Sequence, residues 1–228
     1  MGQSSITLFD GTVFDFEERF PSKYKKVGVS LSSGVESAIL LPLLVHVYGV
    51  ENVYAFTGYI AGRRNWESKV AVKIAQMCNV SNIHVIQDDF LYMDPPEQKR
   101  MRDHALRTTP IEAWFNGAHK VRFSPTHYLT DPTLLDKYKS LNVELPFVGL
   151  LKSHTVDLHY KFNNTDKLYQ SHSCTERGDM HCGKCYCCWE RVRGFADGGH
   201  KDEARYGVSW EEMLQECFYT DKHFNKNW

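Results

Sequence analysis

Two short stretches hold the residues whose types and spacing could do chemistry. The first is Ser30-Leu31-Ser32-Ser33-Gly34-Val35-Glu36-Ser37. It follows an apolar run and opens a helix-like segment. A strand, a tight small-residue turn and a helix N-terminus together make an anion site, because the first backbone N–H groups have no intrahelical partner and the helix dipole favours negative charge there. Ser32, Ser33 and Ser37 add hydroxyl donors, and Gly34 permits a positive φ or the close approach of a phosphate. The lysine and the spacing of a Walker loop are missing. The plain alternative is a βα turn capped by serine.

The second stretch is the run His172-Ser-Cys-Thr-Glu-Arg-Gly-Asp-Met-His-Cys-Gly-Lys-Cys-Tyr-Cys-Cys-Trp-Glu-Arg. The chain has seven cysteines, and five of them fall between residues 174 and 188. In a cytosolic chain such clustering argues for metal rather than disulfides. Cys174, Cys182, Cys185 and Cys188 stand at metal-ligand spacing, and four thiolates suit a structural Zn²⁺ in tetrahedral coordination. Gly183 lets the turn between Cys182 and Cys185 fold tightly enough for backbone N–H groups to reach sulfur. Lys184, Arg177 and Arg191 are positioned to offset the thiolate charge. Cys187 is left over. A reactive thiol pair, an iron–sulfur cluster and reduced buried cysteines remain as alternatives.

The elements around the loop read as parallel βαβ units. Lys26–Leu31 is a short buried strand and Glu36–Tyr48 a helix containing Pro42. Asn52–Thr57 is a second strand, Trp66–Cys78 a helix with Val70, Ile74 and Met77 on one face, and Asn82–Ile86 a third strand. Such sheets are covered on both faces and bind ligands beyond the carboxyl ends of their strands, where the loop lies. Asp94-Pro95-Pro96 breaks the chain. Residues 97–120 are expected to hold one or two helices, Pro125 and Pro132 to mark loops, and Val143–Leu151 to form another strand before a helix from Ser153. A further helix continues from the cysteines through Arg193 or Phe195. Residues 1–24 give no clear assignment. Tyr59, Trp66, Trp114 and Trp189 could stack on a flat base, although isolated aromatics more often belong to the core.

The formal net charge of −1 implies no bulk attraction to nucleic acid or to an anionic membrane. The opening residues show no basic region followed by an apolar stretch, and the longest apolar run, Ala38 to Val50, is too short to span a bilayer. A soluble, cytoplasmic protein is expected, with no membrane partner and no direct nucleic-acid binding.

The loop resembles the Ser-Gly-Gly-x-Asp-Ser loop of the PP-loop ATP pyrophosphatase superfamily, with Ser33 at the second position and Glu36 at the aspartate position. The cysteine run, with the Trp-Glu-Arg-x₃-Phe-Ala-Asp-Gly-Gly that follows it, is similar to the C-terminal signature of the 7-cyano-7-deazaguanine (preQ0) synthases. Arg191 and Phe195 stand at that family's Arg and aromatic positions, with Asp202 and Tyr206 further on. The segment from Arg63 through Val80, with Glu67 and Ala71 in register, and the segment Leu145–Leu158, with Lys152, also resemble the family. The family's Asp-Tyr-Gly-Gln sequence is replaced by Tyr59-Ile60-Ala61-Gly62, residues 100–135 are rewritten, and a carboxylate usual two residues after the lysine is His154.

The resemblance implies a Rossmann-like α/β parallel sheet of PP-loop/HUP type with helices on both faces (residues 1–165) and a small Cys₄ zinc module (166–228). It implies an ATP-dependent, AMP-forming ligase of queuosine biosynthesis or another nucleic acid modification. Such an enzyme adenylates a 7-carboxy-7-deazaguanine-type carboxylate for attack by ammonia. ATP, Mg²⁺ and structural Zn²⁺ are the implied cofactors, and a homodimer is the implied assembly. Leu31, Ser32, Ser33, Gly34, Val35, Glu36 and Ser37 then hold the nucleotide, with the Glu36 carboxylate organising Mg²⁺. Arg63 and Lys152 are candidates for phosphate or carboxylate contact, and otherwise are solvated surface residues. A PP-loop ligase acting on a different acceptor, or a nucleotide-binding homologue without turnover, are the alternatives.

Overall fold

A computed structural model of the chain describes residues 4–59, 65–87, 99–119, 136 and 138–216. Arg63, the Asp94-Pro95-Pro96 break, Pro125 and Pro132 lie outside the described residues, as does Cys217.

The core is a parallel sheet. Strands β3 (Val27–Ser30), β4 (Val53–Tyr59), β5 (Ile83–Gln87), β6 (Ala113–Phe115) and β7 (Val143–Glu144) lie in the order β5-β4-β3-β6-β7. The register pairs Val29 with Ala55 on one side and with Phe115 on the other. β3 is buried along its whole length, which its run of small and β-branched residues permits in a two-face-covered sheet. Successive side chains point to opposite faces. Val27, Val29, Ala113 and Phe115 pack in one core cluster with α2 (Val35–Tyr48) and α3 (Asn65–Met77), while Phe56 and Trp114 pack in a second with Met101 and Ala105 of α4 (Lys99–Thr108). Helices therefore cover both faces, as expected.

The strand order reverses direction at β3. From β3 the chain builds outward through β4 and β5, then returns to place β6 on the other side. Ligand crevices in open α/β sheets form at such switch points. The serine loop leaves β3 here, and residues 116–119 leave β6 beside it.

Two expectations are corrected. Ala113–Phe115 falls in the span expected to be helical, yet it is a strand beside β3, buried at all three positions. A three-residue apolar run has no period that tells a buried strand from a helix turn. The strand expected over Val143–Leu151 stops at Glu144, since Pro146 has no N–H to pair and Gly149 turns the chain at φ +82°.

The unassigned N-terminus forms an antiparallel hairpin, β1 (Ser5–Thr7) with β2 (Val13–Asp15), turned through Gly11 at φ +88°, followed by the short α1 (Phe16–Arg19). After β7 come α5 (Lys152–Lys161), α6 (Thr165–Gln170) and α7 (Tyr186–Asp197). Pro42 sits inside α2 without a break. Its missing N–H frees the carbonyl of Ala38 one turn earlier, and the Asn164 side-chain amide donates to that oxygen at 3.1 Å. The proline thus becomes a docking point between α2 and the α5–α6 junction. No described helix is long and apolar enough to cross a membrane.

Candidate functional site

The loop between β3 and α2 is braced by its own hydroxyls. Ser32 Oγ and Ser37 Oγ lie 2.6 Å apart, the Ser32 amide donates to Ser37 Oγ, and the Gly34 amide donates to Ser32 Oγ. Gly34 has φ −75°, and no positive φ occurs in residues 31–37. Neither Ser33 nor Gly34 is therefore strained, and of the two uses foreseen for Gly34 the positive φ is not taken up. A Cβ on Gly34 would meet Glu36 Oε2 at 3.4 Å and Ser32 Oγ at 3.5 Å, ordinary contact.

Ser33 does something its type alone does not reveal. Its hydroxyl donates to the His172 carbonyl at 2.5 Å, and the His172 amide donates to the Ser33 carbonyl at 2.7 Å. This hydroxyl is buried against the segment leading to Cys174, away from the mouth of the loop. Of the three serine hydroxyls foreseen as donors to an anion, that of Ser33 is already engaged.

Glu36, on the first turn of α2, meets Lys152 from the start of α5. Lys152 Nζ is 3.1 Å from Glu36 Oε1 and 2.6 Å from Glu190 Oε2. His119, beyond β6, lies between the same carboxylates, with Nδ1 3.5 Å from Glu36 Oε1 and Nε2 3.2 Å from Glu190 Oε1. Lys152 is 8% exposed, so the surface-lysine alternative does not hold. Burial alone would lower the Lys152 ammonium's pKa, but the Glu190 and Glu36 carboxylates outweigh it and hold it above the ordinary lysine value. Burial likewise works to raise Glu36, and the Lys152 charge holds it below its usual range. Gly117 packs its Cα side on the start of α2, where an added Cβ would lie 3.0 Å from Glu36 Cβ. The switch-point crevice is thus closed around two carboxylates, one ammonium and one imidazole. Sequence reading missed His119, which stands in no motif, and gave no role to Glu190, which it held only as the Glu of the Trp-Glu-Arg that follows the cysteines.

The four cysteines converge as their spacing suggested. The Sγ atoms of Cys174, Cys182, Cys185 and Cys188 all lie within 4.8 Å of one another. Cys182 and Cys188 are 3.9 Å apart and Cys185 and Cys188 3.4 Å, near the ~3.8 Å edge of a tetrahedron with Zn–S bonds of about 2.3 Å. The amides of Glu176 and Cys182 donate to Cys174 Sγ, and those of Lys184 and Cys185 to Cys182 Sγ. Gly183, at φ +73°, makes the tight turn that aims the last two. Such donors stabilise thiolates, so this set fits a divalent metal and leaves no open ligand position. Cys187 is outside the set, and burial pushes its thiol up to about 11, which argues against a reactive thiol there.

Arg191 does not serve the thiolates. Fully buried, it spends its donors on Asp202 (Nε to Oδ2, 2.5 Å; Nη2 to Oδ1, 3.1 Å), on Ser171 O and Oγ, and on the Leu168 carbonyl. Tyr206 closes the far side through its hydroxyl on Asp202. The guanidinium therefore fixes the segment that carries His172, and with it the Ser33 contact. Arg177 pairs with Asp179. His154 caps α5, its Nδ1 accepting from the Leu151 amide, and its Nε2 meets Asp10 in the N-terminal hairpin at 2.9 Å. Among the aromatics, Trp114 is wholly buried, Trp66 lies against Gly178, and Trp189 Nε1 donates to the Gly183 carbonyl.

The chain is an α/β protein whose five-stranded parallel sheet carries a serine-rich loop at its switch point. Residues 125–199 match the family model described as queuosine biosynthesis protein QueC. Among curated relatives, the chain is 34% identical over 79 residues to a 7-cyano-7-deazaguanine synthase of Saccharolobus solfataricus, covering 35% of this chain and 16% of that one. It is 39% identical over 64 residues to one of Campylobacter jejuni, covering 28% of each. The chain is a homologue of the QueC family through this partial stretch. It spans less than a third of the length of these two relatives, and the family model's match does not reach the loop at 30–37. A solved NMN synthetase from Francisella tularensis aligns over 92% of this chain and 90% of its own, at 14% identity and a TM-score of 0.48.

Proposed function

We propose that the chain is an ATP-dependent, AMP-forming carbon–nitrogen ligase acting on a 7-carboxy-7-deazaguanine-type carboxylate, in the cytoplasm and as a homodimer. The observation that carries this reading is the Lys152 ammonium held between Glu36 of the loop and Glu190 of the cysteine module. A buried cation beside a helix N-terminus at a switch point is what a pyrophosphate end needs.

In this reading the acceptor carboxylate oxygen attacks the α-phosphorus of ATP, and pyrophosphate leaves. Ammonia attacks the acyl adenylate carbon, loses a proton and expels AMP, leaving the amide. The amide oxygen attacks the α-phosphorus of a second ATP and expels pyrophosphate, and loss of two protons and AMP gives the nitrile. Backbone amides of Ser33, Val35, Glu36 and Ser37, with Ser32 and Ser37 hydroxyls, hold the pyrophosphate, while the Leu31 amide is spent on the Phe56 carbonyl. Lys152 neutralises charge as it develops there, and Arg63 takes a phosphate or carboxylate contact. Mg²⁺ held through Glu36 would supply further phosphate neutralisation, and Zn²⁺ on Cys174, Cys182, Cys185 and Cys188 would supply structure. The nucleotide unit is taken as residues 1–165 and the metal module as 166–228. The protein's task is positioning and exclusion of water from the adenylate.

The test is incubation with ATP, Mg²⁺, ammonium and 7-carboxy-7-deazaguanine. AMP and pyrophosphate that depend on the deazaguanine support the reading. The engaged Ser33 hydroxyl favours a second reading, nucleotide holding without turnover or with another acceptor. ATP binding with no AMP from this acceptor would select it.

A further inference from the structure

We propose that Glu190 is a positioning residue, and that α7 presents Glu190 and Gly194 as a rack that aims Lys152 at the serine loop; this rests on the reading of Lys152 as the phosphate-facing cation.

Glu190 and Gly194 are four residues apart on α7 and so lie on one face. They meet different parts of the same lysine. A Cβ at Gly194 would fall 2.6 Å from Lys152 Cγ and 3.1 Å from its Cβ, so only glycine lets the lysine stem cross the helix here. One turn earlier, Glu190 Oε2 takes the ammonium at 2.6 Å, the shorter of its two ion pairs. The other oxygen, Oε1, faces His119 Nε2 at 3.2 Å. One carboxylate therefore orients both groups that face Glu36 Oε1 from the opposite side. Its own place is set by the cysteine module, because α7 begins at the Cys185 cap and carries Cys188 on its first turn. Without Glu190, the carboxylate left on Lys152 among the described residues is Glu36, at the longer distance of 3.1 Å.

The experiment uses the full chain as purified with its metal, as wild type, Glu190→Gln, Glu190→Asp, Lys152→Met and the Glu190→Gln/Lys152→Met double variant. The first readout needs no turnover: acetylation of Lys152 by an N-hydroxysuccinimide ester, followed by mass spectrometry against exposed Lys73 of the same molecule. Glu190→Gln is expected to raise the Lys152-to-Lys73 ratio at least fivefold, with Glu190→Asp closer to wild type. An unchanged ratio overturns the proposal whether or not any acceptor is turned over. The second readout is AMP formation. Glu190→Gln is expected to lower kcat at least tenfold with KM for ATP within threefold, and the double variant is expected to be no slower than Lys152→Met. Losses that multiply mean Glu190 acts independently of Lys152, and the rack is wrong. If no acceptor yields AMP from the wild type, the ligase reading fails while the labelling ratio still decides the role of Glu190.

Discussion

Ser33 and His172, 139 residues apart in sequence, exchange two hydrogen bonds: hydroxyl to carbonyl at 2.5 Å and amide to carbonyl at 2.7 Å. The loop that leaves β3 is thereby joined to the segment that enters the cysteine cluster. The serine that departs from the PP-loop pattern is the residue that makes the joint. Its hydroxyl is a structural donor, and its φ is not positive, so a glycine at this position would relieve no strain.

Replacing Ser33 with Gly should therefore weaken the protein. The His172 carbonyl loses a buried partner, a loss of about 1–2 kcal/mol that lowers the melting temperature by several degrees. AMP formation, where it is measurable, is expected to fall with it. A variant that is more stable or faster than wild type would show that the serine detunes the loop.

Metal should be linked to the loop through the same joint. Elemental analysis is expected to give one zinc per chain, and Cys188→Ser or chelation should abolish it. Removing the metal should lower the melting temperature and weaken ATP binding measured by calorimetry, because Cys174 lies two residues from His172. Wild-type ATP affinity in the metal-free protein would separate the two regions.

Lys152→Met leaves Glu36 and Glu190 facing each other without the intervening ammonium. Breaking a buried pair from one side costs about 3–5 kcal/mol, because the charges left behind are uncompensated. Denaturant unfolding at neutral pH should report a loss of that order. A loss under about 1 kcal/mol, the value of a surface pair, would mean that water fills the site.

His159 gives a pH dependence. Its Nε2 donates to the Val35 carbonyl at the start of α2, and its Nδ1 accepts from the Asn164 amide. Burial holds its pKa down at about 4, against 6.5 for the free side chain. The unfolded chain binds the proton more readily, so stability from this group is complete above pH 6.5 and declines as pH falls to about 4. The difference amounts to roughly 3 kcal/mol. His159→Gln keeps a donor for Val35 without titrating. Its unfolding free energy should change less than that of wild type across this window, and identical pH profiles would rule the assignment out.

Glu36→Asp restores the carboxylate length of the PP-loop pattern but draws it away from Lys152 Nζ by about one bond length. Weaker pairing with Lys152 is expected, seen as faster acetylation of that lysine. Unchanged labelling would mean that Glu190 alone holds it.

Much of this was legible along the chain. Val27–Ser30, Val53–Tyr59 and Ile83–Gln87 announce themselves by apolar runs between helical periods, and the cysteine ligands by spacing alone. These are local signals, fixed by which dihedrals and which metal geometry a few neighbouring residues can satisfy. β6 was not legible, because Ala113–Phe115 becomes a strand only through the edge that β3 offers it. Nor was Glu190, whose residue type on a helix reads as solvated surface until Lys152 arrives from α5.

The sequence by itself determined that a serine loop opens a helix and that four thiolates can share one ion. Tertiary structure alone decided that loop and cluster are joined. The contacts that join them, Ser33 to His172 and Glu36 through Lys152 to Glu190, run between segments distant in sequence. No short-range propensity encodes such pairings; they exist because folding the sheet at β3 and packing α5 against α7 remove these groups from water, where each must find a partner.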